Sequence, residues 1–186
     1  MLERTRGVMG ESSAIQIDVL GGRGALRLRS WMPEHATGER AVMLDGRELP
    51  SQVGSTASGQ ARVLCLGPAD WLIVANAPDI AHLREHIERE ARHQGLAVVD
   101  QTHALATLRV QGRMARELLA KGCGLDLHPR SFAEGRCTRT RLAQLPVVIE
   151  YVEAPALFEL HVARSYQVYL HSWLRDAAID LEEPMA

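Results

Sequence analysis

The fold is decided by VVDQTHALATLRVQGRMARELLAKGCGLDL, residues 98–127 of the chain. Its residues from Leu105 to Val110 alternate with the two-residue period of a β-strand. Gly112 ends this strand, and a short helix follows with an apolar face made of Met114, Ala115, Leu118 and Leu119. We expect Gly122 to end the helix in a left-handed turn. The stretch is therefore a strand–glycine–helix unit that packs against the apolar segments on both sides of it.

Further strand and helix patterns lie on both sides of this unit. Strands are predicted at 15–19, 26–28, 63–66, 71–75, 96–100, 137–143, 147–152 and 157–162. A helix is predicted over 79–94, between Pro78 and Gly95. Ser165 is expected to cap a last helix whose apolar face comprises Tyr166, Tyr169, Leu170, Trp173, Leu174 and Ala177. This order predicts an α+β fold with two ferredoxin-like split β-α-β units and a mostly antiparallel sheet.

The domain organisation follows from where these patterns begin and end. Residues 14–178 are predicted to form a single domain, preceded by a mobile tail at 1–13 and followed by a frayed end at 179–186. Residues 31–60 carry many glycines and prolines and little strand pattern, which predicts an extended loop. This segment either packs on its own domain or is an arm that docks on a partner. In the second case its apolar side chains Trp31, Leu44 and Leu49 would supply the contact.

Composition excludes several classes of protein. The chain has 186 residues, a net charge of −2 and 4% aromatic residues, which argues against a nucleic-acid-binding platform. No apolar run approaches the ~18 residues that span a membrane, and the N-terminus lacks the apolar core of a signal peptide. Three cysteines, Cys65, Cys123 and Cys137, are not spaced as a disulfide scaffold. We therefore expect a soluble, cytoplasmic protein.

Three short sequence features could indicate a binding or catalytic site. GGRG at 21–24 lacks the remaining residues of a nucleotide-binding loop, so a hairpin turn is predicted. HLREH at 82–86 has the spelling of a zinc-protease motif, but its histidines point away from the apolar stripe of their helix, so a solvated face is predicted. Cys123 lies between two glycines, which could leave it accessible, yet nothing near it in sequence would activate a thiol, so unpaired thiols are expected. We predict neither a catalytic residue nor a metal ligand.

A family resemblance accompanies these patterns. Asp100-Gln101-Thr102, the following strand, Gly112, Ala115 and the leucine pair after it resemble the D-x-S/T … G … A … L pattern of the glycine-cleavage T-protein family. Within that group the chain is most similar to the gamma subunits of heterotetrameric sarcosine oxidases. Five segments, in order, carry this likeness: LRLRS (26–30), GRELP (46–50), LGPADWLIV (66–74), KGCGLDLHPRSF (121–132) and ARSYQVYLHSWL (163–174).

The resemblance implies a T-protein-like module and a place in a larger enzyme. The chain would be a non-catalytic subunit of a complex that oxidatively demethylates sarcosine or a related secondary amino acid. FAD, FMN, NAD and tetrahydrofolate would belong to larger flavin- and nucleotide-binding partner subunits. In the family an aspartate of this motif lies at the folate site, so Asp100 is either a remnant of that site or a cap of its own turn. A stand-alone folate-binding protein is the alternative function, and a metal-dependent hydrolase built on HLREH is a third.

Overall fold

The computed structural model describes residues 14–182, so the tail predicted at 1–13 lies outside the described residues, as do residues 183–186. The strands are, in chain order, β1 Gln16–Leu20, β2 Arg23–Ser30, β3 Met43–Leu44, β4 Arg47–Glu48, β5 Thr56–Ala57, β6 Arg62–Gly67, β7 Asp70–Asn76, β8 Leu96–Asp100, β9 Leu105–Gln111, β10 Arg136–Leu142, β11 Leu145–Glu153 and β12 Leu157–Ala163. The helices are α1 Pro33–Thr37, α2 Ala77–His93, α3 Ala115–Ala120 and α4 Gln167–Glu182, the last preceded by a 3₁₀ turn, Arg164–Tyr166.

Two five-stranded sheets contain most of the strands. Sheet A has the order β1-β9-β12-β11-β10 and sheet B the order β5-β6-β7-β2-β8, and every neighbouring pair in them is antiparallel. In sheet B, α2 connects β7 to β8 with β2 between them; in sheet A, α3 connects β9 to β10 with β12 and β11 between them. The predicted α+β class and its mostly antiparallel sheet are confirmed.

The sheets are stacked between two layers of helices. One apolar core lies between the outer face of sheet A and its helices. It contains Leu108 of β9, Leu118 of α3 and Leu174 of α4. The outer face of sheet B buries Leu26 and Leu28 of β2 against α2. A smaller apolar cluster lies between the sheets and joins Leu64, Leu66, Leu72 and Val74 of sheet B to Cys137 of sheet A. In β6 and β7 successive residues thus alternate between a helix-facing and a sheet-facing side, as the two-residue period of a strand requires.

Both ends of helix α2 carry the residues from which the sequence predicted it. Pro78 lies in its first turn, Arg92 and His93 lie in its last turn, and Gly95 follows with a φ of 67°. Its buried residues include Ile80 and Ile87 of the predicted stripe. Among the residues that the structure describes, no helix is long and apolar enough to span a membrane.

The GGRG segment is a tight turn but does not form the predicted hairpin. Strand β1 pairs with β9 in sheet A, whereas β2 is flanked by β7 and β8 in sheet B. Both sides of β2 are therefore occupied, and β1 cannot pair with it. Gly22, with a φ of 67°, lets the chain reverse as it crosses from one sheet to the other.

The C-terminal end of α3 also differs from the prediction. Lys121 there has right-handed helical angles, and Gly122 is not in a left-handed conformation. Gly122 is required for space, because a Cβ atom on it would lie 2.4 Å from the ring of Trp173. The glycine therefore lets α4 pack closely against the end of α3.

The last helix is longer than predicted, and its buried face is narrower. Helix α4 continues to Glu182, so the fraying predicted from 179 onward is wrong for 179–182. Its buried residues are Leu170, Leu174 and Ala178, whereas the Tyr169 side chain is 54% exposed. The apolar periodicity was correct, but it did not identify which apolar residues face the sheet.

Residues 31–60 contain more structure than their glycines and prolines predict. The segment includes α1, the hairpin of β3 and β4, and β5, which pairs with β6 at the edge of sheet B. Leu44 and Leu49 are 7% and 6% exposed and belong to the core between sheet B and α2. These two side chains are thus buried in their own chain, which favours the self-packed alternative for this part of the segment.

Candidate functional site

Asp100 lies at the end of β8, where its carboxylate organises a turn. One oxygen accepts the backbone N–H of Thr102 at 2.9 Å, and the other accepts a hydrogen bond from Arg84 at 3.2 Å. Hydrogen bonds from Thr102, helped by the charge of Arg84, hold the pKa of Asp100 below its ordinary value. Asp100 is therefore the predicted turn cap, with both oxygens engaged. Its contact with a folate stays a prediction.

Trp31 differs from the other two residues predicted to bind a partner. Its side chain is 66% exposed, and its ring lies 3.7 Å from the position that a Cβ atom on Gly95 would occupy. An exposed tryptophan beside an outer strand is a typical anchor for a protein partner. Of the three residues, Trp31 alone keeps a side chain available for binding.

The two histidines of HLREH have different surroundings. His82 is exposed, whereas His86 is half-buried and pairs with Glu90 at 3.1 Å and with Asp45 at 3.6 Å. Arg89 lies 2.7 Å from the other ring nitrogen of His86. The predicted solvated face therefore describes His82 well. It describes His86 only in part, because that side chain is half-buried and has charged partners.

The three cysteines are buried and unpaired. Cys123 is 7% exposed and therefore buried, although its flanking glycines suggested an accessible side chain. Burial raises the pKa of the Cys65 thiol, and burial together with the charge of Glu150 raises that of Cys137 to about 12. A thiol with a raised pKa is a poor nucleophile, which argues against chemistry at Cys65 and Cys137. All three cysteines are buried and pack as small apolar side chains.

A cluster of charged residues lies between the two sheets. Glu159, at the centre of β12, has a side chain with 0% exposure and accepts hydrogen bonds from Arg23 and Arg109, each at 2.8 Å, and from Arg62. Arg62 also pairs with Glu150 of β11 at 3.0 Å. Since Arg23 and Arg62 belong to sheet B and both glutamates to sheet A, these ion pairs join the sheets.

His161 completes this inter-sheet cluster. Its Nδ1 atom lies 3.1 Å from the hydroxyl of Thr107, and its Nε2 atom lies 3.5 Å from Glu150. Ligand atoms of His161, Glu150 and Glu159 all lie within 4.8 Å of one another, a spacing that would admit a metal ion. The arginines around them supply positive charge in place of an ion. The donor set therefore fits an ion-pair network better than a cation site, although Glu150 Oε2 and His161 Nε2 have no hydrogen-bond partner in it.

The protonation state of Glu159 agrees with a structural role. Burial acts to raise the pKa of this carboxyl, but the charge of Arg62, the hydrogen bond from Arg109 and the charge of Arg23 outweigh it and hold the pKa below its ordinary value. A carboxylate that stays ionised and accepts hydrogen bonds from three guanidinium groups has little capacity to exchange a proton with a substrate near neutral pH.

A second cluster surrounds Asp70 at the start of β7. Its Oδ2 atom accepts hydrogen bonds from Arg27 at 2.5 Å and Arg139 at 2.7 Å, and Arg29 lies 3.7 Å away. The Asp70 side chain is 4% exposed, whereas those of Arg29 and Arg139 are 69% and 46% exposed. This cluster therefore begins inside the protein and ends at its surface.

The sequence held a partial signal for these clusters. Arg27 and Arg29 alternate with leucines and predict a strand with one basic face, which β2 has. Glu159 and His161 alternate in the same way within β12. Pattern alone cannot show that a polar strand face meets a second sheet rather than water, so the buried network was missed.

Comparisons with known proteins identify the family. The profile of the sarcosine oxidase, gamma subunit family matches residues 34–180. The chain belongs to this family. The sarcosine oxidase subunit gamma of Corynebacterium sp. (strain P-1) is 32% identical over 144 residues, which are 76% of this chain and 70% of that protein.

Solved structures share the fold of this gamma-family chain. It superposes on a chain of the heterotetrameric sarcosine oxidase of Corynebacterium sp. U-96 in complex with pyrrole 2-carboxylate, with a TM-score of 0.81, 24% identity and coverage of 95% of this chain and 90% of that one. It also superposes on the glycine cleavage system aminomethyltransferase T of Bartonella henselae, with a TM-score of 0.67 and 15% identity, covering 92% of this chain and 47% of that one. The predicted T-protein-like fold is confirmed.

Proposed function

We propose that the chain is a non-catalytic structural subunit of a sarcosine-oxidase-type flavoenzyme. The complex would oxidatively demethylate sarcosine or a related secondary amino acid, and partner subunits would pass the one-carbon unit to tetrahydrofolate. The family match over residues 34–180 is the observation that carries this proposal. The chemistry of the inter-sheet cluster supports it, because three arginines engage the carboxylate of Glu159, which an active site would need free.

In this proposal the cofactors FAD, FMN, NAD and tetrahydrofolate are held by the larger partner subunits. The complex works in the cytoplasm, where a reducing environment suits three unpaired cysteines. Trp31 contacts a partner. Leu44 and Leu49 instead hold residues 31–60 against sheet B and α2, so that the segment presents Trp31 in a fixed position.

A stand-alone folate-binding protein is the second candidate function. The T-protein-like fold and the position of Asp100 at a strand end favour it. Against it, both carboxylate oxygens of Asp100 already accept hydrogen bonds from Thr102 and Arg84. A folate nitrogen would have to compete with these donors.

The isolated chain distinguishes the two functions. Purified alone, it is expected to be colourless, to lack oxidase activity and to show no saturable binding when titrated with tetrahydrofolate. Flavin absorbance in the pure chain would refute the structural role. Saturable folate binding that Asp100→Asn abolishes would establish the second candidate instead.

A further inference from the structure

The surface around Asp70 carries an excess of positive charge that the fold does not neutralise. Three guanidinium groups, those of Arg27, Arg29 and Arg139, face the single carboxylate of Asp70. The chain as a whole has a net charge of −2, so this local excess runs against the global balance. Arg29 lies at 3.7 Å, beyond hydrogen-bond distance, and its side chain is 69% exposed.

Apolar side chains border these arginines. In sheet B, Arg27 is the cross-strand partner of Val99, and Arg29 is the partner of Ala97. Directly opposed residues project from the same face of a sheet, so Val99 and Ala97 flank the arginines. Val99 is 53% exposed, and within residues 14–182 its strand β8 pairs with β2 alone.

Trp31 lies at the same edge of sheet B. It follows directly after β2, and its ring approaches Gly95, the residue before β8. Tryptophan and arginine are the residues most enriched among those that dominate binding energy at protein interfaces. The edge therefore combines an aromatic anchor, an exposed valine and guanidinium groups that already have one carboxylate partner.

We propose that Arg29 and Arg139, with Val99 and Trp31, form a docking surface for an acidic segment of a larger partner subunit. The inference rests on the proposed function, since it assumes that a partner subunit exists. Asp70 holds Arg139 in place, so this arginine loses little side-chain freedom when a second carboxylate binds. Charge complementarity selects an acidic occupant, because a basic or neutral one would leave the excess charge unpaired.

The test uses the complex formed by co-expressing this chain with its partner subunits. Arg29→Glu is expected to weaken assembly at least about tenfold at an ionic strength of about 0.05 M, with a smaller effect at about 0.5 M, where the charges are screened. Arg29→Lys keeps the charge and is expected to stay within about threefold of the unmodified chain. Arg113→Glu, the same charge reversal at another exposed arginine, is the matched control and is expected to stay within about twofold.

Each outcome decides something specific. Melting of the isolated variants checks that Arg29→Glu folds, as expected for a side chain that is mostly exposed. If the unmodified chain assembles and Arg29→Glu assembles equally well, the docking surface is refuted while the proposed function stands. If Val99→Ser weakens assembly and Arg29→Glu does not, the occupant is apolar rather than acidic, and the proposal is wrong. If the unmodified chain does not form a complex with any larger subunit, the proposed function and this inference are both wrong.

Discussion

The substitution Glu159→Gln tests whether the inter-sheet cluster stabilises the fold. It removes one negative charge from a side chain with 0% exposure and leaves Arg23, Arg62 and Arg109 facing a neutral amide. Removing one member of a buried ion pair typically costs 3–5 kcal/mol, because the remaining charges are left unpaired.

The magnitude follows from how much water reaches those arginines. The side chains of Arg23, Arg62 and Arg109 are 22%, 21% and 29% exposed, so each can recover part of its hydration. We therefore expect a loss near the lower limit, about 3 kcal/mol. For a chain of this length that loss lowers the melting temperature by about 6–12 °C.

Urea unfolding at pH 7 measures the effect, with Glu85→Gln on the exposed face of α2 as the matched control. The control is expected to change the free energy of unfolding by less than about 0.5 kcal/mol. A change in Glu159→Gln no larger than that of the control would refute the argument, because it would mean that the network contributes nothing net.

The same carboxylate predicts a pH dependence. The pKa of Glu159 is lowered in the folded protein, so its contribution is fully present above the unfolded value of about 4.3 and is lost as the pH falls through the folded value. The stability difference between Glu159→Gln and the unmodified chain should therefore shrink as the pH is lowered from 7 to about 3. A difference that stayed constant over this range would show that the carboxylate charge is not its cause.

Three further predictions concern packing and the histidine motif. Gly122→Ala is expected to destabilise the chain by about 1–3 kcal/mol in urea unfolding, because the added methyl group overlaps the ring of Trp173. Leu49→Ala is expected to cost the isolated chain about 2–4 kcal/mol in the same assay, because the side chain is buried in its own domain. Replacing both His82 and His86 by alanine is expected to leave the activity of the complex within about twofold and stability within about 1 kcal/mol, as measured by turnover and by melting.

Each of these three predictions has a control or a contradicting result. Gly124→Ala introduces the same methyl group where no atom lies within 4 Å and is expected to be tolerated. Unchanged stability in Leu49→Ala would mean that residues 31–60 are not packed on the domain. Loss of activity in the double histidine variant that added zinc restores would show that the motif binds a metal after all.

Periodicity predicted most of the elements because it reports directly on burial. The alternation around Leu105 and the helical stripe containing Ile80 each identified an element whose apolar side is now seen in a core. The likeness of short segments to the T-protein family then supplied the arrangement of those elements, which no local pattern contains.

The features that the sequence did not predict have a common physical origin. Each depends on contacts between residues that are distant in sequence, which local patterns do not contain. The turn at Gly22 looks like a hairpin locally, but it joins two sheets because β1 pairs with β9 and β2 pairs with β7. Gly122 looks like a helix stop, yet its role depends on Trp173, which approaches from another helix. Nothing in the sequence around Glu159 shows that its side of β12 faces sheet B, where Arg62 pairs with it.

The central claim, that this chain is a subunit of a larger flavoenzyme, is tested most directly by native mass spectrometry of the chain after co-expression with its neighbouring reading frames. The proposal predicts one complex in which this chain is joined to larger chains, with flavin absorbance that follows the complex and is absent from the chain alone. Recovery of the chain as a free species, with no larger chain and no flavin accompanying it, would contradict the proposal.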